Sequence, residues 1–294
     1  MPDTFTLILI VNGLLVGMMY ALIALGFVLV YKATEAFNFA QGEFVMTGGF
    51  VAAAAATVMP FWAATLASVV ALVVFCFALE RVVLRRLLGR PIIAVIMATI
   101  GVASLLRGAV VLLFGSGTRA LTMPVQEAPL FLGPIMLPPI DIVGAVVSLI
   151  FFAVFTWLFL WTRMGLAMRA VADNQQIASA MGIDVRRYFA IAWALAGVVS
   201  ALGGVIWGAL LGVDNQLAVV GLKVFPVVIL GGFESVPGAI VGGLIVGVVE
   251  SLSSGYIDPL VGGGTKDFMP YVLMIAVLMV RPYGIFGKTP VQRV

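Results

Sequence analysis

Few residues in this chain are able to do chemistry. It has 294 residues, 63% of them apolar and 10% charged. The polar side chains within or between its apolar runs are Asn12 and Tyr20, then Glu35, Asn38, Gln41 and Glu43, then Arg107, Glu234 and Glu250. Ionisable groups at membrane depth are costly, so each is a candidate for a solute path, an ion pair or a proton relay. Much of the enzymatic repertoire is missing. With no histidine and one cysteine, Cys76, the chain cannot build a Ser-His or Cys-His nucleophile, an H-E-x-x-H zinc site, a histidine-ligated haem or a multi-cysteine metal centre. No catalytic residue, no metal and no cofactor of its own are expected. The nearest string to a phosphate loop, Gly284–Thr289 (GIFGKT), is too short between its glycines to cradle phosphates. Any ATP-driven role therefore requires partner subunits that use the ATP.

The elements that must position these residues follow from hydropathy. A mean hydropathy of +1.21 puts most of the chain in lipid, where each spanning helix takes ~20 apolar residues. The apolar runs are Phe5–Tyr31, Phe44–Val58, Phe61–Leu79, Ile92–Gly115, Ile140–Trp161, Phe189–Leu211, Val224–Gly232, Ala239–Val249 and Met269–Val280. The fold class expected is an all-α polytopic membrane protein of roughly 8 to 10 transmembrane or re-entrant helices. A single transmembrane domain over 1–294 is expected, with one long cytoplasmic loop at 162–188. No cleavable signal peptide is evident, since Met1–Thr6 carries no basic residue.

Basic residues set the orientation. Placing Lys32–Glu43, Glu80–Pro91, Thr162–Tyr188 and the C-terminal tail on one side gathers twelve of the sixteen Lys and Arg there, Lys288 and Arg293 included. That side is the cytoplasm by the positive-inside rule, which leaves the N-terminus outside and the C-terminus inside. The pI near 9.2 has the same origin, so membrane lipid rather than nucleic acid is the expected surroundings. Parity then requires Val224–Val249 to enter and leave on the outer side. Its two apolar halves are short and are joined by Gly231, Gly232, Glu234, Ser235 and Pro237. Irregular backbone at membrane depth persists only where protein covers it or a watery cavity hydrates it, so this hairpin points toward a solute path.

Two further segments carry functional candidates. Ala33–Glu43 (ATEAFNFAQGE) interrupts two apolar runs with amides, aromatics and carboxylates, and is expected to tuck back into the bundle. Asn38 and Glu43 serve there either as cap and helix-terminus charge of the second helix or as path-lining groups beside Gln41. Arg107 lies ~22 Å along its helix, where it either snorkels to the outer headgroups or pairs with a carboxylate such as Glu250. In the long loop, Asp173 or Asn174 suits an N-cap, Gln175–Met181 a helix, and Gly182 the left-handed residue that ends it. Ile177 and Met181 form one small apolar face. It either lies on the membrane surface or docks on a soluble partner, with Arg169, Asn174 and Gly182 completing the coupling element.

The stretches ALIALGFVLVYKATEAFNFAQGEFVMTGG (Ala21–Gly49) and GLAMRAVADNQQIASAMGID (Gly165–Asp184) and the ending RPYGIFG (Arg281–Gly287) resemble the LivH-type permeases of bacterial branched-chain amino acid ABC importers. The resemblance runs over essentially the whole chain. It departs at Gln41, where the family usually has His, and a strict permease EAA signature is absent. The resemblance implies a permease subunit in the bacterial inner membrane that gives alternating access to branched-chain or related amino acids. It also implies a second homologous permease in a heterodimer, two cytoplasmic ATPase subunits, and a periplasmic or lipid-anchored solute-binding protein. The competing class is a proton- or ion-coupled secondary transporter of small polar solutes, whose broken helices fit equally well.

Overall fold

The computed structural model describes residues 2–35, 37–87, 90–125, 128–133 and 135–287. Lys288 and Arg293 of the basic count, Ala36 of the polar interruption and the last two residues of Gly284–Thr289 lie outside the described residues. Twelve α-helices follow in order among the described residues: α1 Pro2–Thr34, α2 Gln41–Ala55, α3 Phe61–Val82, α4 Ile92–Phe114, α5 Pro139–Trp161, α6 Arg163–Asp173, α7 Gln175–Ala180, α8 Val185–Leu211, α9 Leu217–Gly231, α10 Val236–Tyr256, α11 Asp258–Val261 and α12 Thr265–Val280. A short antiparallel hairpin, β1 Leu130–Leu132 and β2 Ile135–Leu137, precedes α5. Among the described residues six helices, α1, α3, α4, α5, α8 and α10, are long and apolar enough to cross a membrane. The protein is thus an all-α, multi-pass membrane protein.

Local chemistry explains the breaks. Pro60 and Pro91 precede α3 and α4 in extended conformation, as expected for a residue that cannot continue a helix but starts one well. Glu35 ends α1 with a positive φ of 54°. Asp184 caps α8 by accepting from the backbone N–H of Arg186 and Arg187.

The chain forms two compact units, one of Met1–Val28, Val125–Leu149 and Leu222–Val294, the other of Leu29–Pro124 and Ile150–Gly221. In the first unit, α1 and α10 approach backbone to backbone. A Cβ at Gly13 would lie 2.7 Å from the Gly247 carbonyl, and one at Gly17 2.6 Å from that of Gly243. Small residues allow this approach, from which helix pairs in lipid gain dispersion contact. In the second unit, α2 and α8 meet in the same way, with a Cβ on Gly204 falling 2.2 Å from the Val45 carbonyl. Around that contact Phe44, Leu72, Cys76, Trp193 and Ala196 form a fully buried core.

The α9–α10 hairpin differs from expectation in one respect. Its second half is not short: α10 has 21 residues and continues past Glu250, where the apolar run breaks. The sequence pattern stops there because Glu250 and the following serines are polar. The helix goes on because Ser253 returns its hydroxyl to the Glu250 carbonyl and Glu250 itself finds partners. Its first half does remain short, at 15 residues with Pro226 inside.

Candidate functional site

In the second unit, residues 37–43 return into the bundle along α4. The Phe39 N–H donates to Thr99 Oγ1 at 3.3 Å and Asn38, Gln41 and Glu43 are all buried. Asn38 Nδ2 donates to Gln41 Oε1 at 3.0 Å, Gln41 Nε2 donates to Ser200 Oγ on α8 at 3.0 Å, and Ser200 passes its hydroxyl to the Ala196 carbonyl at 2.7 Å. Asn38 Oδ1 accepts from the Ala40 N–H at 3.1 Å. The asparagine therefore holds the turn into α2 from two residues before its cap position, Ala40, and the amides join α2 to α8. Such a closed network favours one arrangement strongly, because each member left unpaired would cost its full desolvation.

Glu43 sits in the first turn of α2 and its Oε1 receives Arg107 Nη2 at 2.6 Å. Arg107 thus pairs with Glu43, not with Glu250. Its side chain stays 55% exposed while that of Glu43 is 9% exposed. Beside the pair opens a groove of about 740 Å³, lined by Phe39, Ile100, Ala103, Ser104, Val111 and Leu112.

The first unit holds a second ionic cluster. Glu250 Oε1 accepts from Tyr20 OH at 3.2 Å and from Lys223 Nζ at 3.3 Å, and Lys223 also reaches Asp267 Oδ1 at 2.7 Å. One group each from α1, α9, α10 and α12 is thereby tied. Glu250 Oε2 and, on α1, Asn12 Oδ1 are buried without a hydrogen-bond partner among the described residues. At the other end of α9, Gly232 (φ 96°) makes the turn, and Ile285 and Phe286 of the C-terminal segment donate to the Leu230 and Gly231 carbonyls at 2.8 and 3.2 Å. Those are carbonyls a helix end leaves unpaired. Gly231 packs against Gly238, where a Cβ would fall 2.1 Å from the carbonyl oxygen, and Glu234 is exposed.

The loop at 162–188 folds as two capped helices. Thr162 caps α6 through the Gly165 N–H, and Asn174 Oδ1 caps α7 by accepting from Ile177 N at 2.9 Å. Gly182 at φ 84° ends α7, with Gly182 N to Ser179 O and Ile183 N to Ala178 O bonds, the paired pattern of a Schellman stop. Met168, Val171 and Ala178 pack inward with Ala33 and Phe189, and Gln175 Nε2 donates to the Ala33 carbonyl at 3.2 Å. Arg169 lies over the Phe159 ring at 5.7 Å. Ile177 and Met181 point away from this core, at 63% and 78% exposure.

A family model described as branched-chain amino acid transport system / permease component matches residues 9–278. The chain belongs to that family. It is 33% identical over 303 residues to the high-affinity branched-chain amino acid transport system permease protein LivH of Escherichia coli K12, covering 96% of each chain. It is 32% identical over 307 residues to its counterpart BraD of Pseudomonas aeruginosa, covering 97% of each, and 29% identical to a probable LivH of Methanocaldococcus jannaschii over 90% of this chain and 88% of that one. No solved structure matches the chain.

A permease component moves solute and is not itself an enzyme. In this permease, sequence reasoning missed Lys223, Asp267 and Ser200 as members of polar networks. Lys223 lies inside LAVVGLKVFPVVILG, a single cation within an apolar helix. Starting that run at Val224 hid the signal.

Proposed function

We propose that the chain is the membrane-spanning subunit of an ABC importer, giving alternating access to branched-chain or related amino acids that a solute-binding protein delivers. Separate cytoplasmic ATPases drive it, and a homologous permease completes a heterodimer in a bacterial inner membrane, with the N-terminus outside and the C-terminus cytoplasmic. What carries the reading, beside family membership, is α7: a helix capped at both ends, anchored through Ala178 and Gln175, that holds Ile177 and Met181 outward. Rigid presentation of two apolar side chains suits insertion into a groove on an ATPase. Asn12, Tyr20, Gly231, Gly232 and Glu234 would then serve the path, and the Asn38–Gln41–Ser200 network would fix the α2 entrance beside it.

The test is Met181→Asp, which would bury an unpaired charge in that contact. The variant should insert normally yet lose co-purifying ATPase and substrate-stimulated hydrolysis. Retained ATPase at wild-type turnover would remove α7 from the mechanism. The buried Glu250 carboxylate keeps a proton-coupled secondary transporter as the second reading, which uptake by this chain alone in liposomes would favour.

A further inference from the structure

The α4 groove combines features that packing alone does not require. Ile100, Ser104, Arg107, Gly108 and Val111 recur at helical spacing along one face of α4, and nothing lies within 4 Å of where a Cβ on Gly108 would be. Arg107 is seven residues, ~10 Å, from the end of α4 at Phe114, inside the ~30 Å hydrocarbon thickness that the 23-residue helix spans. Among the described residues its guanidinium bonds to Glu43 alone, through one nitrogen. Apart from Glu43 and Ser104, the groove that Arg107 lines is apolar. A guanidinium held at that depth with free donors needs a polar partner.

The charge pattern selects the partner's chemistry. Glu43 and Arg107 are 2.6 Å apart and together neutral. A phosphate or a fatty carboxylate bound to Arg107 would sit against the Glu43 carboxylate, and an amine bound to Glu43 would sit against the guanidinium. A neutral molecule carrying both charges on adjacent carbons satisfies both groups at once. Ile100, Ala103, Val111 and Leu112 supply an apolar wall beside them.

We propose that this groove is a station on the solute path that holds an α-amino acid as its zwitterion. The carboxylate lies on Arg107, the ammonium on Glu43, and a branched apolar side chain lies against the α4 wall. The proposal rests on the reading of the chain as an amino acid permease and adds the residues that recognise the solute. Selectivity then resides partly in the membrane subunit, not only in the binding protein.

The experiment uses the full transport complex in proteoliposomes, with Ser104→Cys as the labelled position in a Cys76→Ser background. L-leucine should slow maleimide labelling of that cysteine, while leucinamide (cation only) and 4-methylpentanoate (anion only) should not. Arg107→Gln and Glu43→Gln should abolish the protection and lower uptake roughly tenfold or more, as loss of one charge-assisted contact implies, with Arg107→Lys intermediate. A Cβ at Gly108 would have nothing within 4 Å, so Gly108→Leu, which adds bulk to the groove, should fold and assemble normally and block uptake. Wild-type uptake by Gly108→Leu or Arg107→Gln, or equal protection by 4-methylpentanoate, would overturn the proposal. So would loss of the partner permease from Gly108→Leu, which would make this face a subunit interface. If the intact wild-type complex accumulates no branched-chain amino acid at all, the transport reading fails and the groove assignment with it. Normal uptake without protection at Ser104→Cys overturns the groove alone.

Discussion

Replacing Asn38 by leucine separates a structural from a path-lining role for the amide network. The side chain is 1% exposed and makes two bonds, from Nδ2 to Gln41 Oε1 and from the Ala40 N–H to Oδ1. Asn38→Leu keeps the branched four-atom side chain, with bulkier methyl groups, and removes both bonds, leaving one buried acceptor and one buried backbone donor unpaired. At about 1–3 kcal/mol for each orphaned group, the α2 entrance should lose about 2–6 kcal/mol, a large share of any domain's stability. Cys76 makes the assay direct: it is the chain's only cysteine, fully buried, in the same unit and the same core as Phe44 of α2. Reaction of a thiol-sensitive fluorophore on heating in detergent should start several degrees lower in Asn38→Leu. Gln41→His should be tolerated, because an imidazole offers one acceptor for Asn38 and one donor for Ser200. An unchanged transition in Asn38→Leu, with uptake lost, would refute the structural reasoning and return Asn38 to the solute path.

Lys223→Met should lower the yield of folded protein sharply, since it strands the buried Glu250 carboxylate at a typical cost of about 3–5 kcal/mol. Adding Glu250→Gln should recover most of it, measured as monodisperse protein by size exclusion. Gly204→Leu should abolish assembly of α2 on α8, because its Cβ alone would fall 2.2 Å from the Val45 carbonyl; loss of buried Cys76 protection reads this out. Asp258, whose carboxyl the Thr265 hydroxyl and N–H hold below the usual carboxylate range, fastens the start of α12. Its contribution is therefore present above the ordinary carboxylate pKa and is lost as the pH falls through the lowered value. Asp258→Asn should flatten that acid dependence, and hydrogen exchange at Thr265 and Lys266 should show it.

Local signals were legible in the sequence, and long-range pairings were not. Asn174 and Gly182 announced the two ends of α7 because a cap and a left-handed stop are chemistry of adjacent residues. The return of residues 37–43 into the bundle was legible as polarity with no basic character. The hairpin, by contrast, was read too short: Glu250 breaks an apolar count yet is carried within α10 by Tyr20 and Lys223, which lie far away in the chain. Arg107 shows the same limit. Its position along the helix leaves snorkelling to the headgroups and pairing with a carboxylate such as Glu250 both open, and only the approach of α2 to α4 brings Glu43 to it.

On the proposed function, this chain carries amino acid only as one part of an ATP-driven assembly. Uptake of radiolabelled leucine into proteoliposomes tests it most directly, comparing the permease alone under a proton or sodium gradient with the permease plus its partner permease, ATPases, binding protein and enclosed ATP. Accumulation is expected in the full assembly with ATP and in no other combination. Gradient-driven accumulation by the chain alone would contradict it.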